Sequence, residues 1–592
     1  MYSRSRIGHG LDNTLVYSYT VNLAAQPMHA PWISSYPPGV PAQIDEHALG
    51  TLADYLEDAV NLYADRDAFI SGATGVKLSF AELDTLSLQV AAYFQSVLHL
   101  APGSRVALMM PNVLQYPVCL FGLLRAGYVV VNVNPMYTGR ELEHQLRDSG
   151  ALAIIVVDLF AHTLAKIIDK TPVQHVVVSG LADMMPWHKR HVANFVIHQV
   201  KKAVPAYDLP MATDFRRMLR RGAQVQFRKP DIQPDDLAFL QYTGGTTGVA
   251  KGAMLSHRNI LANVQQTKVW CAPFVEPGQD LISMTAIPLY HVFALGTCMA
   301  FTGMGGTNVL VSDPRDVDAF VKLLMRYRVV SLPAVNTLFN SLINHPDIGK
   351  VDFTSLRLAV GGGAAIQRSV AERWHALTQV PLIEGYGLTE CAPTVTINPF
   401  DTTQFNGSIG LPLPSTEVSI RDAHGCALPA GEPGELCVRG PQVMQGYWRR
   451  PQDTAAVMTE DRFLRTGDVA VMDDKGFFKI VDRLKDMILV SGFNVYPNEI
   501  EDVVMLHPGV LEAAAVGRQS DSTGEEVHIH VVKKSPALTE EMLVRHCREH
   551  LTGYKVPRKV VFDTQLPKSN VGKVLRRELR EVKNRVTEES VV

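Results

Sequence analysis

The chain has 592 residues, of which 46% are hydrophobic and 19% charged, and its formal net charge is −3. This length exceeds what one hydrophobic core supports and predicts two or more domains, while the nearly balanced charge gives no reason to expect nucleic acid as a partner. Seven scattered cysteines form no CxxC pair, so they indicate a reducing compartment rather than a zinc site or a disulfide framework.

Two stretches bear on membrane insertion. Residues 1–27 have no periodic apolar face and make a poor signal peptide, so we expect a disordered extension there. Residues 281–312 contain no Asp, Glu, Lys or Arg and are long enough to span a bilayer. Because Pro288, His291 and the glycine-rich run 303–306 interrupt this stretch, it predicts a buried strand, loop and helix instead.

The body of the chain alternates between strand and helix patterns. Residues 52–98 have a helical pattern with a turn-rich break at 71–75. Beyond them, strands are predicted at 105–110, 128–133, 151–157, 237–242 and 356–360, and helices at 117–126, 141–148, 162–169 and 316–327. This alternation predicts a mostly parallel sheet covered by helices. Residues 407–479 predict a β-rich subdomain, and the last hundred or so residues a separate α+β unit.

Residues 183–226 are unusually basic. Apolar residues are interleaved with the basic ones: Trp187, Phe195, Val196 and Ile197 among Lys189, Arg190, Lys201, Lys202, Arg216, Arg217, Arg220 and Arg221. The simpler interpretation is a solvated helical face. The alternative is an amphipathic patch that rests on anionic lipid.

The strongest chemical signal is the segment Tyr242-Thr-Gly-Gly-Thr-Thr-Gly-Val-Ala-Lys-Gly252. Its glycines let the backbone approach an anion closely, its N–H groups and threonine hydroxyls can donate to anion oxygens, and Lys251 adds a positive charge. The order Ala250-Lys251-Gly252 departs from a Walker A loop. Ser256 is placed to cap the helix that follows. The segment therefore predicts a phosphate-binding loop; a plain surface loop is the alternative.

Further motifs carry groups suited to a nucleotide. They are the glycine turn Gly361-Gly-Gly-Ala-Ala365, the segment Ile383-Glu-Gly-Tyr-Gly-Leu-Thr-Glu390, the turn Thr466-Gly-Asp468, the charged segment Ile480–Ile488 and the loop Leu566-Pro-Lys-Ser-Asn-Val-Gly-Lys573. Glycines admit a flat ligand, and Asp468 on its turn could accept from ribose hydroxyls. Thr389 and Glu390 offer oxygens of the type that Mg²⁺ prefers.

Together with Pro288-Leu-Tyr-His291, these motifs resemble the adenylate-forming superfamily of acyl-CoA synthetases, adenylation domains and luciferases, from about Met28 to the C-terminus. The stretch from Phe463 to Lys485 is similar to the fatty-acyl-CoA synthetase signature. With Ser491-Gly-Phe-Asn-Val-Tyr-Pro-Asn-Glu-Ile500, it points to bacterial long-chain fatty-acid–CoA ligases.

The resemblance implies an α/β fold. A large domain at residues 28–484 would hold two helix-covered sheets and a small β-barrel-like subdomain, and a smaller mobile α+β domain would follow at 485–592. It also implies a two-step reaction in which a long-chain fatty acid and ATP form an acyl-adenylate and coenzyme A then takes the acyl group, with Mg²⁺ as cofactor. The product would feed fatty-acid uptake and β-oxidation. The protein would be cytoplasmic and held peripherally at the inner membrane; a homodimer stays open.

The resemblance also assigns site residues. Catalytic roles fall to Lys573, His291, Lys251 and Glu390. ATP or AMP binding falls to Tyr242, Thr243, Gly244, Gly245, Thr246, Thr247, Gly248, Lys251, Gly362, Gly363, Ala364, Glu384, Gly385, Tyr386, Gly387, Thr389, Asp468, Arg483 and Lys485. Mg²⁺ falls to Thr243 and Glu390, the hinge to Arg483 and Lys485, and the coenzyme A channel to Ser491, Gly492, Phe493 and Asn494. The chain departs from some relatives at Leu295, which stands where a thermophilic relative carries a large aromatic gate to the fatty-acid tunnel.

Two other functions stay open at this point. One is transfer of the acyl-adenylate to the thiol of a separate carrier protein. The other is a fatty-acid-binding or uptake protein without catalysis, which the presence of Glu390, Asp468 and Lys573 argues against.

Overall fold

A computed structural model describes residues 30–243, 250–276, 280–491, 493–520, 523–569 and 572–581. The expected disordered extension at 1–27 lies outside these residues, as do Gly492 and the loop residues Gly244, Gly245, Thr246, Thr247 and Gly248.

Strands and helices are numbered along the described chain. The strands are β1 Asp67–Ser71, β2 Lys77–Ser79, β3 Arg105–Met109, β4 Val129–Asn132, β5 Ala153–Val157, β6 His175–Ser179, β7 Thr213–Asp214, β8 Leu237–Thr243, β9 Lys251–Ser256, β10 Ile282–Thr285, β11 Thr307–Leu310, β12 Ser331–Ala334, β13 Leu358–Gly361, β14 Leu382–Gly387, β15 Thr394–Ile397, β16 Leu411–Pro412, β17 Glu417–Arg421, β18 Gly434–Arg439, β19 Gly446–Tyr447, β20 Leu464–Met472, β21 Phe478–Arg483, β22 Ile488–Val490, β23 Phe493–Val495, β24 Val510–Ser520, β25 Gly524–Lys533 and β26 Lys559–Asp563. The α-helices are α1 Leu52–Tyr63, α2 Phe80–Ala92, α3 Gln115–Arg125, α4 Gly139–Ser149, α5 Asp158–Ala165, α6 Trp187–Phe195, α7 Phe215–Gly222, α8 His257–Cys271, α9 Val292–Gly303, α10 Val317–Arg326, α11 Asn336–Ile343, α12 Arg368–Thr378, α13 Pro451–Val457, α14 Pro497–Met505, α15 Glu540–His550 and α16 Arg576–Glu581.

Two large mixed sheets form the first part of the fold. One has the strand order β19-β9-β8-β4-β3-β5-β6-β7, and the other β16-β15-β14-β13-β12-β10-β11-β1-β2. Their central strands pair in parallel and are almost entirely apolar, as in β4 and β5, where every residue is buried and Asn132 alone is polar. Uninterrupted apolar runs of this kind are typical of strands covered on both faces.

Two smaller sheets follow. The strands β17-β18-β20-β21 form an antiparallel sheet, in which no pairing of β17 with β21 closes a ring among the described residues. The expected barrel-like subdomain is therefore a four-stranded sheet. The last sheet, β23-β22-β25-β24 with β26 beside β25, packs with α14 and α15 around its own apolar core. This is the α+β unit that the sequence predicted.

Most of the predicted elements are confirmed. Ser256 caps α8 by accepting from the Asn259 N–H, as predicted. The uncharged stretch 281–312 forms the predicted strand, loop and helix, as β10 and α9, and then a further strand, β11, that was not predicted. Within the described ranges, no helix has both the length and the apolar composition needed to cross a bilayer.

The helical prediction for 52–98 was wrong in its middle. Residues 67–79 form the hairpin β1–β2, and Phe69 pairs in parallel with Asn308 of β11. The buried run Ala68-Phe69-Ile70 forms a strand because it pairs with β11, which is distant in the sequence. No local pattern contains that information.

Candidate active site

A cavity of about 2230 Å³ lies where both large sheets, the small antiparallel sheet and the C-terminal unit meet. Most of the site residues assigned from the sequence line it. They are Tyr242, Thr243, Lys251, His291, Gly362, Gly363, Ala364, Glu384, Gly385, Tyr386, Gly387, Thr389, Glu390, Asp468, Arg483, Lys485 and Lys573. Residues more than 300 positions apart in sequence thus share one cavity.

The residues assigned to the coenzyme A channel lie elsewhere. Ser491, Phe493 and Asn494 are exposed and do not line this cavity. The Phe493 ring stacks on Tyr554 of the same C-terminal unit, with the ring centroids 4.8 Å apart. In this structure, the C-terminal unit therefore presents Lys573 to the cavity and holds Ser491, Phe493 and Asn494 outside it.

The Asp468 carboxylate is anchored through both of its oxygens. It lies on β20 opposite Arg483 of β21, is 3% exposed, and its Oδ1 lies 3.0 Å from Arg483 Nε. Its Oδ2 accepts a hydrogen bond of 2.6 Å from the Tyr386 hydroxyl. Two partners hold it in one orientation, which suits it to accept from a pair of vicinal hydroxyls.

A glycine-rich wall lies beside Tyr386. Gly363 has φ +78°, in the left-handed region, and a side chain at Gly387 would lie 2.1 Å from the Pro393 carbonyl oxygen. Glu384 in this wall accepts from the Ile366 N–H, and burial raises its pKa to about 8. At neutral pH Glu384 is therefore mostly protonated, so it offers the cavity a neutral donor as well as an acceptor.

Glu390 and Thr243 supply hard oxygen ligands. Glu390 Oε1 accepts a hydrogen bond of 2.7 Å from the Tyr447 hydroxyl, which fixes the orientation of the carboxylate. Thr243 is the last residue of β8. A carboxylate and a hydroxyl facing one cavity form a donor set that fits Mg²⁺.

Lys251 begins β9, directly after the predicted phosphate loop. Its Nζ lies 2.6 Å from Asp453 Oδ1 on α13 and 5.3 Å from the centroid of the Tyr447 ring. Lys251 thus reaches the cavity as one member of an ion pair. An anion in the loop would compete with Asp453 for this ammonium group.

Lys573 and His291 meet at another part of the cavity. Partial burial, with the positive charge of Arg483 nearby, lowers the pKa of Lys573 to about 8. Burial, with a contribution from the charge of Lys573, lowers the pKa of His291 to about 4. His291 also caps α9, because its Nδ1 accepts from the Phe293 N–H. His291 is therefore neutral with its proton on Nε2, and Lys573 is the positive group of the pair.

Leu295 does not line the cavity. It is 1% exposed in the core, and the cavity face of α9 consists of Val292, Phe293, Gly296, Thr297 and Phe301. Thr267, Trp270 and Cys271 of α8 extend this wall. Leu295, the position at which a relative carries an aromatic gate, therefore packs into the core and does not line this cavity.

Several residues that support the site were not predicted from the sequence. Tyr447 and Asp453 hold Glu390 and Lys251 from 57 and 202 positions away. Arg576, three residues beyond Lys573, pairs with Glu501 at 2.8 Å and fixes the Lys573 segment to α14. Each is a common residue type in an ordinary context, so only the packing reveals it.

Comparisons with known proteins agree with this architecture. The AMP-binding enzyme family profile matches residues 56–448, and the profile of the AMP-binding enzyme C-terminal domain matches residues 499–573. In structure, the chain is similar to the anthranilate CoA ligase AuaEII, with a TM-score of 0.77 at 23% identity over 91% of this chain and 97% of that one, which shows the fold. ATP-bound MatB from Rhodopseudomonas palustris gives 0.73 at 28% identity, over 89% and 98%.

The chain belongs to the AMP-binding enzyme family. Within that family it is similar to the long-chain-fatty-acid–CoA ligase of Escherichia coli O6:H1, at 56% identity over 93% of this chain and 98% of the relative. The ligase of the same name from Haemophilus influenzae is 50% identical over the same shares.

Proposed function

We propose that this chain is an AMP-forming long-chain fatty-acid–CoA ligase that feeds fatty-acid uptake and β-oxidation. The observation that carries the proposal is the near-full-length similarity to ligases of that name, combined with one cavity that holds Asp468, Glu390 and Lys573 together. An uptake protein without catalysis would have no need of these three groups in one place.

In the first step, a carboxylate oxygen of the fatty acid attacks the α-phosphorus of ATP. The bond from that phosphorus to the bridging oxygen breaks, and pyrophosphate leaves with the electron pair. Such a transfer needs positioning and charge stabilisation rather than a protein nucleophile. Asp468 would hold the ribose, the wall around Gly363 and Tyr386 the adenine, and the ammonium of Lys573 the charge that develops at the α-phosphate.

The phosphate loop would hold the remaining phosphates. Lys251 follows this loop, and its ammonium group can exchange its ion pair with Asp453 for one with the departing pyrophosphate. Thr243 and Glu390 would hold Mg²⁺, which would supply positive charge next to the ATP phosphates.

In the second step, the coenzyme A thiol attacks the acyl carbonyl carbon and AMP leaves. We assign the 491–494 segment to the thiol's approach, which requires the C-terminal unit to turn. The proposed division is a domain at 28–484 and a domain at 485–592, with Arg483 and Lys485 at the hinge. The support is that Lys573 lines the cavity while Phe493 stands outside it, since one rigid domain cannot present both at once.

The acyl chain would lie along the apolar wall of α8 and α9. Thr267, Trp270, Thr297 and Phe301 bound this part of the cavity. Aliphatic chains bind by burial against such surfaces.

The enzyme would act at the cytoplasmic face of the inner membrane through peripheral contact. The support is α6, in which no residue is buried and whose Trp187 and Phe195 are 71% and 61% exposed. Lys189, Lys201 and Lys202 lie on and just beyond this helix and are exposed. Exposed aromatic side chains beside lysines are typical of segments that rest on anionic lipid.

The decisive experiment measures AMP release from ATP across fatty acids of increasing length, with and without coenzyme A. We expect turnover to require coenzyme A and to favour long chains. Turnover with a carrier protein but not with coenzyme A would support the acyl-AMP ligase alternative. Absence of fatty-acid-dependent pyrophosphate exchange would refute catalysis altogether.

A further inference from the structure

A cluster of metal-ligating side chains lies on α15, away from the cavity. His546, Glu549 and His550 are spaced i, i+3 and i+4, so they share one face of the helix. One ring nitrogen of each histidine and a carboxylate oxygen of Glu549 all lie within 4.8 Å of one another. None of the three lines the active-site cavity.

Hydrogen bonds to backbone carbonyls fix both imidazole rings. His546 Nε2 lies 2.9 Å from the carbonyl oxygen of Val503, and His550 Nδ1 lies 2.9 Å from that of His546. A carbonyl only accepts, so these two nitrogens carry the protons. The lone pairs are then on Nδ1 of His546 and Nε2 of His550. Metal-binding histidines commonly donate their second nitrogen to a carbonyl in this way.

A third imidazole lies beside the cluster. The centroid of the His507 ring is 5.4 Å from that of His546, and those of His546 and His550 are 4.5 Å apart. His507 Nδ1 accepts from the Gly509 N–H, so its proton is on Nε2 and we do not count it as a ligand.

We propose that His546, Glu549 and His550 bind a divalent transition-metal ion of the Zn²⁺ class. Two imidazole nitrogens and one carboxylate oxygen are a ligand set for Zn²⁺, Co²⁺ or Ni²⁺, whereas Mg²⁺ and Ca²⁺ prefer oxygen ligands alone. A fourth position is left to water. The ion would cross-link side chains of the last turn of α15. The hydrogen bond from His546 to the Val503 carbonyl already joins this turn to α14. The site goes beyond the proposed ligase activity and uses none of its residues.

The test uses the full chain without ATP or Mg²⁺. Zn²⁺ is titrated into the protein in competition with a chromogenic chelator, and Co²⁺ is titrated in a parallel series for its visible absorption. The variants are His550→Ala, whose exposed side chain can be removed without opening the core, and Glu549→Gln. His424→Ala removes an exposed histidine from a turn elsewhere and is the matched control.

We expect His550→Ala to lose one equivalent of Zn²⁺ and the Co²⁺ absorption that goes with it, while His424→Ala keeps both. Glu549→Gln should weaken the same equivalent. Excess Mg²⁺ should leave Zn²⁺ binding unchanged. If wild type and His550→Ala bind the same number of equivalents with the same affinity, with circular dichroism showing both folded, the proposal is wrong.

Discussion

Asp468 and Arg483 face each other across the β20–β21 ladder, with 3.0 Å between Oδ1 and Nε. The residue proposed to hold the ribose is therefore paired with a residue of the proposed hinge. Because the Tyr386 hydroxyl holds the other oxygen of the same carboxylate, the proposed nucleotide site and the proposed hinge share one hydrogen-bonded unit.

We predict that Asp468→Asn weakens ATP use more than Tyr386→Phe does. The amide still accepts from Tyr386, but it loses the ion pair with Arg483 and the charged acceptor for the ribose. Loss of a hydrogen bond to a charged group costs about 1.5–3 kcal/mol, so KM for ATP in pyrophosphate exchange should rise roughly tenfold or more. Equal effects of the two substitutions would contradict the charged role of Asp468.

The two half-reactions should separate by mutation. Lys573→Ala removes a transition-state charge and should slow acyl-adenylate formation by about 10²–10³-fold, while thioester formation from supplied acyl-adenylate stays nearly intact. Lys485→Pro should do the opposite, because a fixed φ obstructs rotation at the hinge. Lys568→Ala is the control and should slow neither step strongly. Lys568 lies on the same loop as Lys573, and the substitution breaks its ion pair with Glu512 of β24. If each variant slowed both steps equally, the two-position mechanism would not hold.

The pH profile of adenylation should have an alkaline limb near pH 8. The pKa of Lys573 is lowered to about 8, so its ammonium is present below that pH and is lost as the pH rises through it. The value of kcat/KM reports the free enzyme and should therefore fall above about pH 8. Bound phosphate favours the ammonium form, so the limb in kcat should lie at higher pH.

Two further groups of the cavity make controls necessary, because burial lowers the pKa of Lys485 to about 8 and Glu384 titrates in the same range. The pKa of Glu384 is raised to about 8. Lys573→Arg keeps its positive charge throughout and should lose the limb, whereas Glu384→Gln should retain it. The reverse pattern would assign the limb to Glu384.

Membrane contact should depend on α6. We expect Trp187→Ser combined with Phe195→Ser to weaken binding to phosphatidylglycerol-containing vesicles roughly tenfold or more, because each large apolar side chain contributes about 1.5–3 kcal/mol on burial. High salt should release the wild-type protein. Leu62→Ser, at a residue 47% exposed on α1, is the control and should not change binding. Equal sedimentation of all three proteins with vesicles would assign the contact to another surface.

The preference for fatty acids of a given length should depend on Thr297 rather than on Leu295. Thr297→Leu enlarges a side chain that lines the cavity and should shift preference towards shorter fatty acids. Leu295→Ala leaves a void in the core and should lower the free energy of unfolding by about 2–5 kcal/mol with the preference unchanged. Denaturant unfolding and the substrate series measure the two outcomes, and a shifted preference in Leu295→Ala would contradict the prediction by giving Leu295 a part in chain-length selection.

Much of the fold and the site was predictable from local sequence. The strand–helix alternation, the Ser256 cap and the lining role of residues such as Gly363 follow from backbone preferences and from groups a few positions apart. In the same way, the resemblance of whole motifs located Asp468, Glu390 and Lys573, because each motif is a short continuous segment.

The sequence by itself determined which chemical groups the chain carries and which turns and caps present them. Only the tertiary structure decided that Tyr447 holds Glu390, that Asp453 pairs with Lys251, that β1 pairs with β11 and that Leu295 faces the core. Short-range hydrogen bonds and φ preferences depend on neighbouring residues in the chain, so they can be predicted from the local sequence. Contacts between residues that are far apart depend on how the sheets and helices pack, and no single segment contains that information.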